Sequence, residues 1–337
     1  MPSTSTPLID VHSHFLTPRY VAEAKSAGHG HPDGMPGWPE WTEDGQLASM
    51  DAWGVGTAML SISSPGVHFG DDAAARELAR HVNDTGAAMR DRHPDRFGHF
   101  ASIPLPDVDG ALAEAVRALD ELGSDGIAVE TSAGGVYLGH ESFDPLYAEL
   151  DRRGAVVFVH PTSPPHAAEI ALGRPRPMLE FIFDSTRAAS DLLFNGVFTR
   201  YPNIEWIFPH GGGALPLLVE RMELFRTVFG LGDGTGTVTG TDTDTDTDTG
   251  PSTQEQLGRL WYDMAGTPFP RQIPTLIDAF GRERLLYGSD SCWTPAPGVT
   301  AQLASIDGAA PPAPDLTWRE LTAANARRLF PRLTAES

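Results

Sequence analysis

Eight short runs of mostly apolar, often β-branched residues punctuate the chain: Leu8–His14, Gly56–Ser63, Phe97–Leu105, Gly126–Thr131, Ala155–Pro161, Ile204–Gly211, Leu260–Gly266 and Leu285–Asp290. Most are apolar continuously rather than at alternate positions, which is the pattern of parallel strands covered on both faces. Helical patterns lie between them. Leu112, Val116, Leu119 and Leu122 recur on one helical face, with Asp109 where a cap belongs. Asp71–Arg92, Phe143–Arg153 and Ala214–Phe229 also read as helices. Thr317 and Glu320 have capping-box spacing ahead of a last helix, Trp318–Phe330. Eight strands alternating with helices predict an α/β fold, a (β/α)8 TIM barrel occupying residues 1–337 as one domain. The rival is an open doubly wound sheet. Against it, the first run ends in His12-Ser13-His14 rather than in a Gly-rich phosphate loop.

Two segments interrupt the pattern. Ala27–Trp41 is rich in Gly, Pro, His and Trp and predicts a small irregular lobe inserted after the first strand. Gly230–Pro251 carries a Thr-Asp repeat without apolar anchors, so a mobile low-complexity loop is expected there.

Composition narrows the function. Lys+Arg is 24 against Asp+Glu 45, a formal net charge of −21. So acidic a chain is a poor partner for nucleic acid or anionic lipid, both of which need basic patches. The single cysteine, Cys292, excludes an internal disulfide and a cysteine-cluster metal site, and reads as a packing residue. No apolar run is long enough to span a membrane, and Met1–Pro7 lacks the pattern of a signal peptide, so a cytoplasmic protein is expected.

The chemistry collects where barrel enzymes place it, at the C-terminal ends of strands. His12 and His14 close the first run, His160 the fifth, His210 the sixth and Asp290 the eighth. Side chains at i and i+2 on a strand share a side, so His12 and His14 can converge on one cation. His160 and Asp290 would complete a shell of three nitrogens and one oxygen, suited to zinc or another divalent first-row metal. His29 and His31 repeat the His-x-His spacing inside the irregular lobe and read as structural or lid-forming. His68, His81, His93, His99, His140 and His166 read as surface or packing residues.

These residues resemble the amidohydrolase superfamily, in particular its decarboxylase branch, which includes aminocarboxymuconate semialdehyde decarboxylase and the 2-hydroxybenzoate-type decarboxylases. The matching motifs are IDVHSHF at Ile9–Phe15, FVHP at Phe158–Pro161, FPHGGGALPLLVERM at Phe208–Met222, LLYGSD at Leu285–Asp290 and NARRLF at Asn325–Phe330. The resemblance implies one divalent ion per chain, Zn2+ or Mn2+, and no organic cofactor. His12, His14, His160 and Asp290 would be its ligands, and His210 the neighbouring acid/base residue. Arg221 matches an arginine that reaches the neighbouring subunit's pocket, which implies a homodimer. Related binuclear barrels bridge two metals with a lysine on the fourth strand. Here Lys25 is the only lysine and lies elsewhere, and Glu130, which could bridge instead, could equally face a helix. One metal is the expectation. The stretch Glu43–Asp51 lacks the arginines of the semialdehyde decarboxylase. HPDGMPGWPEW at His31–Trp41 and LSISSPGVHFG at Leu60–Gly70 look more like the 6-methylsalicylate decarboxylase group.

The implied reaction is loss of CO2 from an ortho-hydroxy aromatic acid after protonation of the ring carbon that bears the carboxylate. Asp290 or His210 would give the proton, and Phe181, Phe183, Phe69 or Trp293 would supply apolar walls. Two other readings stay open: a metal-dependent hydrolase of a lactone or amide, and a non-catalytic barrel.

Overall fold

The computed structural model describes residues 6–231 and 250–334. The Thr-Asp repeat therefore lies outside the described residues. The eight strands form as β1 (Leu8–His14), β2 (Val55–Ser61), β3 (Phe97–Ser102), β4 (Gly126–Glu130), β5 (Val156–His160), β6 (Glu205–Phe208), β7 (Trp261–Asp263) and β8 (Leu285–Leu286). They pair in parallel and in chain order. The last returns to the first. Asp10 bridges Tyr287, Ser13 bridges Ser291, and the Val11 N–H donates to the Tyr287 carbonyl at 2.9 Å. The sheet closes into the TIM barrel that the alternation predicts, and the open-sheet rival falls.

Helix starts follow local capping chemistry. Asp71 accepts from the Ala74 N–H at 2.8 Å and opens Asp72–Arg92. Thr317 and Glu320 form the expected capping box ahead of Trp318–Leu329. One cap differs. The helix Val108–Asp120 is capped by Asp107, whose carboxylate accepts from the Gly110 N–H, and Asp109 lies inside its first turn. Its buried face differs too. Ala111, Glu114, Ala115 and Ala118 are buried, whereas Leu112, Val116, Leu119 and Leu122 are only half-buried. Small residues let the helix approach the barrel closely, which leaves the larger side chains toward its flanks.

Every run but the first ends earlier as a strand than as apolar sequence, and three of these endings bear on the mouth of the barrel. β6 stops at Phe208 and β8 at Leu286, so His210 and Asp290 sit in the turns just beyond. Both residues adopt positive φ, 54° and 58°, which ends an extended strand. β7 stops at Asp263, leaving Met264–Gly266 in the connection that follows.

Inside the barrel a column of rings supports this end. Phe330, from just after the last helix, lies 5.8 Å from Phe100, Phe100 stacks on Phe158 at 5.6 Å, and Phe158 lies 5.0 Å from the His12 ring. The lobe after β1 is irregular, with one 3-10 turn, Pro32–Gly34. Specific contacts hold it in place. The Trp38 indole donates to the His29 carbonyl at 2.7 Å, its ring packs on Tyr20 and Trp293, and Asp33 accepts from the Ser163 hydroxyl.

His99, on β3, is a packing residue with a measurable consequence. It is buried, shares a hydrogen bond with Ser124, and fills the space that a Cβ at Gly86 would need. Burial, helped by the charge of Arg90, pushes its pKa down to about 3. The unfolded chain therefore binds a proton at His99 that the folded chain refuses. Stability at this residue is fully present above pH 6.5 and falls as pH drops from 6.5 toward 3, by about 1.4 kcal/mol for each unit. Denaturant unfolding from pH 4 to pH 7 is expected to flatten in His99→Gln relative to the unaltered chain. Parallel curves for the two would show that His99 is not the residue responsible.

Candidate metal centre and active site

Four imidazoles and a carboxylate converge at the C-terminal mouth of the barrel. The His12 ring lies 4.9 Å from His14, 5.4 Å from His160 and 5.2 Å from His210, and His14 lies 4.7 Å from His160. Asp290 Oδ1 stands 3.3 Å from His12 Nε2 and 3.4 Å from His14 Nε2, while its Oδ2 stands 3.5 Å from His210 Nε2. His12, His14, His160 and Asp290 each offer one ligand atom, all within 4.8 Å of one another. These are the four of the five run-end residues that the sequence reading took as ligands. Glu130 is not among them; its carboxylate approaches His160.

The outer nitrogens fix the rings. His12 Nδ1 pairs with Asp263 Oδ2 at 2.8 Å, and His14 Nδ1 with Ser61 Oγ at 3.0 Å. That leaves His12 Nε2 and His14 Nε2 buried without a hydrogen-bond partner. Buried polar nitrogens without partners are costly and uncommon. Burial alone would keep His12 neutral, but the carboxylates of Asp263 and Asp290 outweigh it and hold its pKa up at about 10. The same field favours any cation at the point of convergence. The orphaned nitrogens, the adjacent carboxylate and the local field all fit a divalent metal ion.

Asp263 is the functional residue that the strand-end reading missed. It closes the seventh strand, and it is wholly buried. One oxygen holds His12 and the other accepts from the backbone N–H groups of His210 and Ala265, each at 2.9 Å. Burial opposes its charge, yet the neighbouring His12 and His210 imidazoles and these hydrogen bonds keep its pKa below the ordinary value. The signal was present, since Asp263 is the one charged residue inside the apolar run Leu260–Gly266.

Other expected residues are placed as follows. Phe181 is buried with its ring 6.0 Å from His160, whereas Phe183 is 48% exposed on the helix Glu180–Phe194. The wall beside His160 is therefore Phe181. Trp293 is half-buried against Trp38 at 5.5 Å, and its indole N–H is buried without a partner. Phe69 packs against His29 and Tyr20. Arg221 is exposed on Leu215–Phe229 and stacked over Phe225 at 5.2 Å. Burial pushes the Cys292 thiol up to about 12. The residues His68, His81, His93 and His140 are engaged with Asp72, Thr17, Glu43 and Ser142. Among the described residues no helix is long and apolar enough to cross a membrane.

Residues 9–332 match the family model described as amidohydrolase. The chain belongs to the amidohydrolase family. A 6-methylsalicylic acid decarboxylase of Aspergillus aculeatus is 35% identical to it over 335 residues, covering 96% of both chains. A decarboxylase of Aspergillus niger is 40% identical over 226 residues, an alignment spanning 63% of this chain and 60% of that one. A solved structure described as amidohydrolase II superposes with a TM-score of 0.83 at 33% identity, covering 96% of this chain and 99% of the other.

Replacing Asp263 with alanine strands His12 Nδ1 and two backbone N–H groups in a buried site. A loss of about 3–5 kcal/mol is expected in denaturant unfolding, the cost typical of removing one partner from a buried pair. An unshifted midpoint would mean that His12 and His210 are held by something other than this carboxylate.

Proposed function

We propose that this protein is a metal-dependent, non-oxidative carboxy-lyase acting on an ortho-hydroxy aromatic acid of the salicylate type, with 6-methylsalicylate the first candidate. The observation that carries the proposal is the set of three convergent histidines closed by Asp290, with His210 directly behind that carboxylate. Full-length similarity to a 6-methylsalicylic acid decarboxylase supports the substrate class. His12, His14, His160 and Asp290 hold one divalent ion, Zn2+ or Mn2+, and no organic cofactor takes part. That ion would supply Lewis acidity that offsets the negative charge of the substrate.

The chain's own residues do the rest. The ring carbon bearing the carboxylate must gain a proton before the C–C bond breaks; the bonding electrons then return to the ring and CO2 leaves neutral. His210 Nε2 and Asp290 Oδ2, 3.5 Å apart, are the acid pair from which that proton comes. Phe181 and Trp293 line the ring's apolar surroundings, and a dry wall favours departure of neutral CO2 from an anionic acid.

A homodimer extends the proposal. Around Arg221 the helix Leu215–Phe229 exposes Leu217 (72%), Val228 (65%) and Phe229 (62%), and grouped exposed apolar side chains mark interaction surfaces. Arg221 then reaches the partner's site and holds a substrate oxygen, with Phe183 at the same junction. No nucleic acid or membrane partner is proposed, and the compartment is the cytoplasm.

The first test is elemental analysis paired with CO2 release from 6-methylsalicylate, salicylate and dihydroxybenzoates. About one metal per chain is expected, with turnover abolished by chelation and cut by at least about 100-fold in His210→Asn. Metal binding with turnover of lactones but not salicylates would replace the lyase with a hydrolase. Shared sites have their own test. Mixing inactive Arg221→Ala with inactive His210→Asn under conditions of subunit exchange should restore activity. No recovery after exchange would confine each site to one chain.

A further inference from the structure

Two of the three convergent histidines have a visible partner on the nitrogen that faces away from the centre, Asp263 for His12 and Ser61 for His14. His160 has none. Its Nδ1 is buried and makes no hydrogen bond. Facing it is Glu130 Oε2, also buried and also without a hydrogen bond, at 3.7 Å. A donor and an acceptor, each orphaned, stand just beyond bonding distance of one another.

The placement is built by the barrel. Glu130 ends β4, His160 ends β5, and the two are direct neighbours in the parallel register. Gly66, in the turn after β2 and at φ +74°, makes room for the carboxylate; a Cβ there would stand 3.2 Å from Glu130 Cγ. The Ser64 and Thr162 hydroxyls, 2.8 Å apart, tie that turn to the loop after His160. Glu130 also borders a cavity of about 80 Å3 lined by Pro65, His68 and Ser132. Its other charged neighbours, Asp33 and Asp184, are carboxylates. A carboxylate oxygen buried among other carboxylates is unfavourable unless it serves a donor, and His160 is the ion-pair partner of Glu130 among the described residues.

We propose that Glu130 is the positioning residue of His160: it accepts the Nδ1–H and thereby turns Nε2 toward the centre. The inference rests on His160 being a metal ligand, as proposed above. Glu130 is then neither a second metal's bridge nor an outward residue. The centre is held by three different outer partners, a carboxylate for His12, a hydroxyl for His14 and a second carboxylate for His160. Such partners raise ligand basicity and fix the tautomer, and their loss typically weakens metal affinity by about 10- to 100-fold.

The test measures zinc affinity by chelator competition in the full chain, together with 15N NMR of the histidine rings in the zinc-loaded protein. Glu130→Ala is expected to bind zinc about 10- to 100-fold more weakly. Glu130→Gln, which keeps an acceptor oxygen, recovers most of the loss. In the unaltered protein His160 is expected to carry its proton on Nδ1. Melting of the metal-free variants checks that they fold. If Glu130→Ala does not, Glu130→Gln and the tautomer of the unaltered protein decide. Unchanged affinity in a folded Glu130→Ala, or a proton on Nε2, overturns the inference while leaving the centre intact. Failure of the unaltered protein to bind zinc overturns the centre itself.

Discussion

The carboxylate of Asp263 is the constraint on which the mouth of the barrel depends. It has two oxygens and holds three donors, the His12 ring and the backbone N–H groups of His210 and Ala265. One buried charge thus orients a histidine on β1 and pins the turn after β6, two segments brought together only by barrel closure. Its burial is tolerable because the neighbouring imidazoles supply compensating charge. A neutral side chain there would leave His12 free to rotate and the His210 turn free to relax to an ordinary φ.

That turn and its counterpart at Asp290 explain why His210 and Asp290, the proposed acid pair, stand where they do. Both residues have positive φ, which non-glycine residues adopt at a cost. Hydrogen bonds on both sides hold each of them. His210 donates its N–H to Asp263, and its carbonyl accepts from the Gln272 amide at 2.7 Å. Asp290 donates its N–H to the His12 carbonyl at 2.8 Å, and its own carbonyl accepts from Thr294 at 2.7 Å. The His12 backbone therefore sets the position of Asp290, while the His12 side chain faces the same carboxylate. Three glycines after His210, each at positive φ, let the chain turn back into the helix Leu215–Phe229.

Much of this was legible in the sequence because its cause is periodic or terminal. Continuous apolar runs mark strands covered on both sides, and a polar residue ending such a run marks the mouth, so the eight strands and the four convergent side chains could be named without coordinates. Asp263 was missed because the apolar run continues past it to Gly266, which hides the strand end, and because its partner His12 is far away in sequence. Glu130 stayed ambiguous because periodicity cannot tell which face a strand's last residue takes. The Leu112 stripe misled in the opposite sense. A helix on a barrel buries its small residues against the strands, and the leucine periodicity marks its flanks instead. Asp107 capped in place of Asp109 because both can cap, and Asp107 also pairs with Arg76.

The irregular lobe is fixed by contacts rather than by periodicity. No hydrophobic periodicity describes Ala27–Trp41, yet its fixings are specific. Trp38 meets Trp293, which follows Asp290 closely in the chain, and Asp33 meets Ser163, which follows His160 in the same way. The Arg176 guanidinium lies against Gly34, where any Cβ would collide with it. The lobe after β1 is therefore tied to the loops after β5 and β8, the same strands that deliver His160 and Asp290. A displacement of the lobe would pull on the loops that adjoin those residues. For the proposed reaction, which converts a charged acid into neutral CO2, the placement of the proposed acid pair is then coupled to the packing of this lobe.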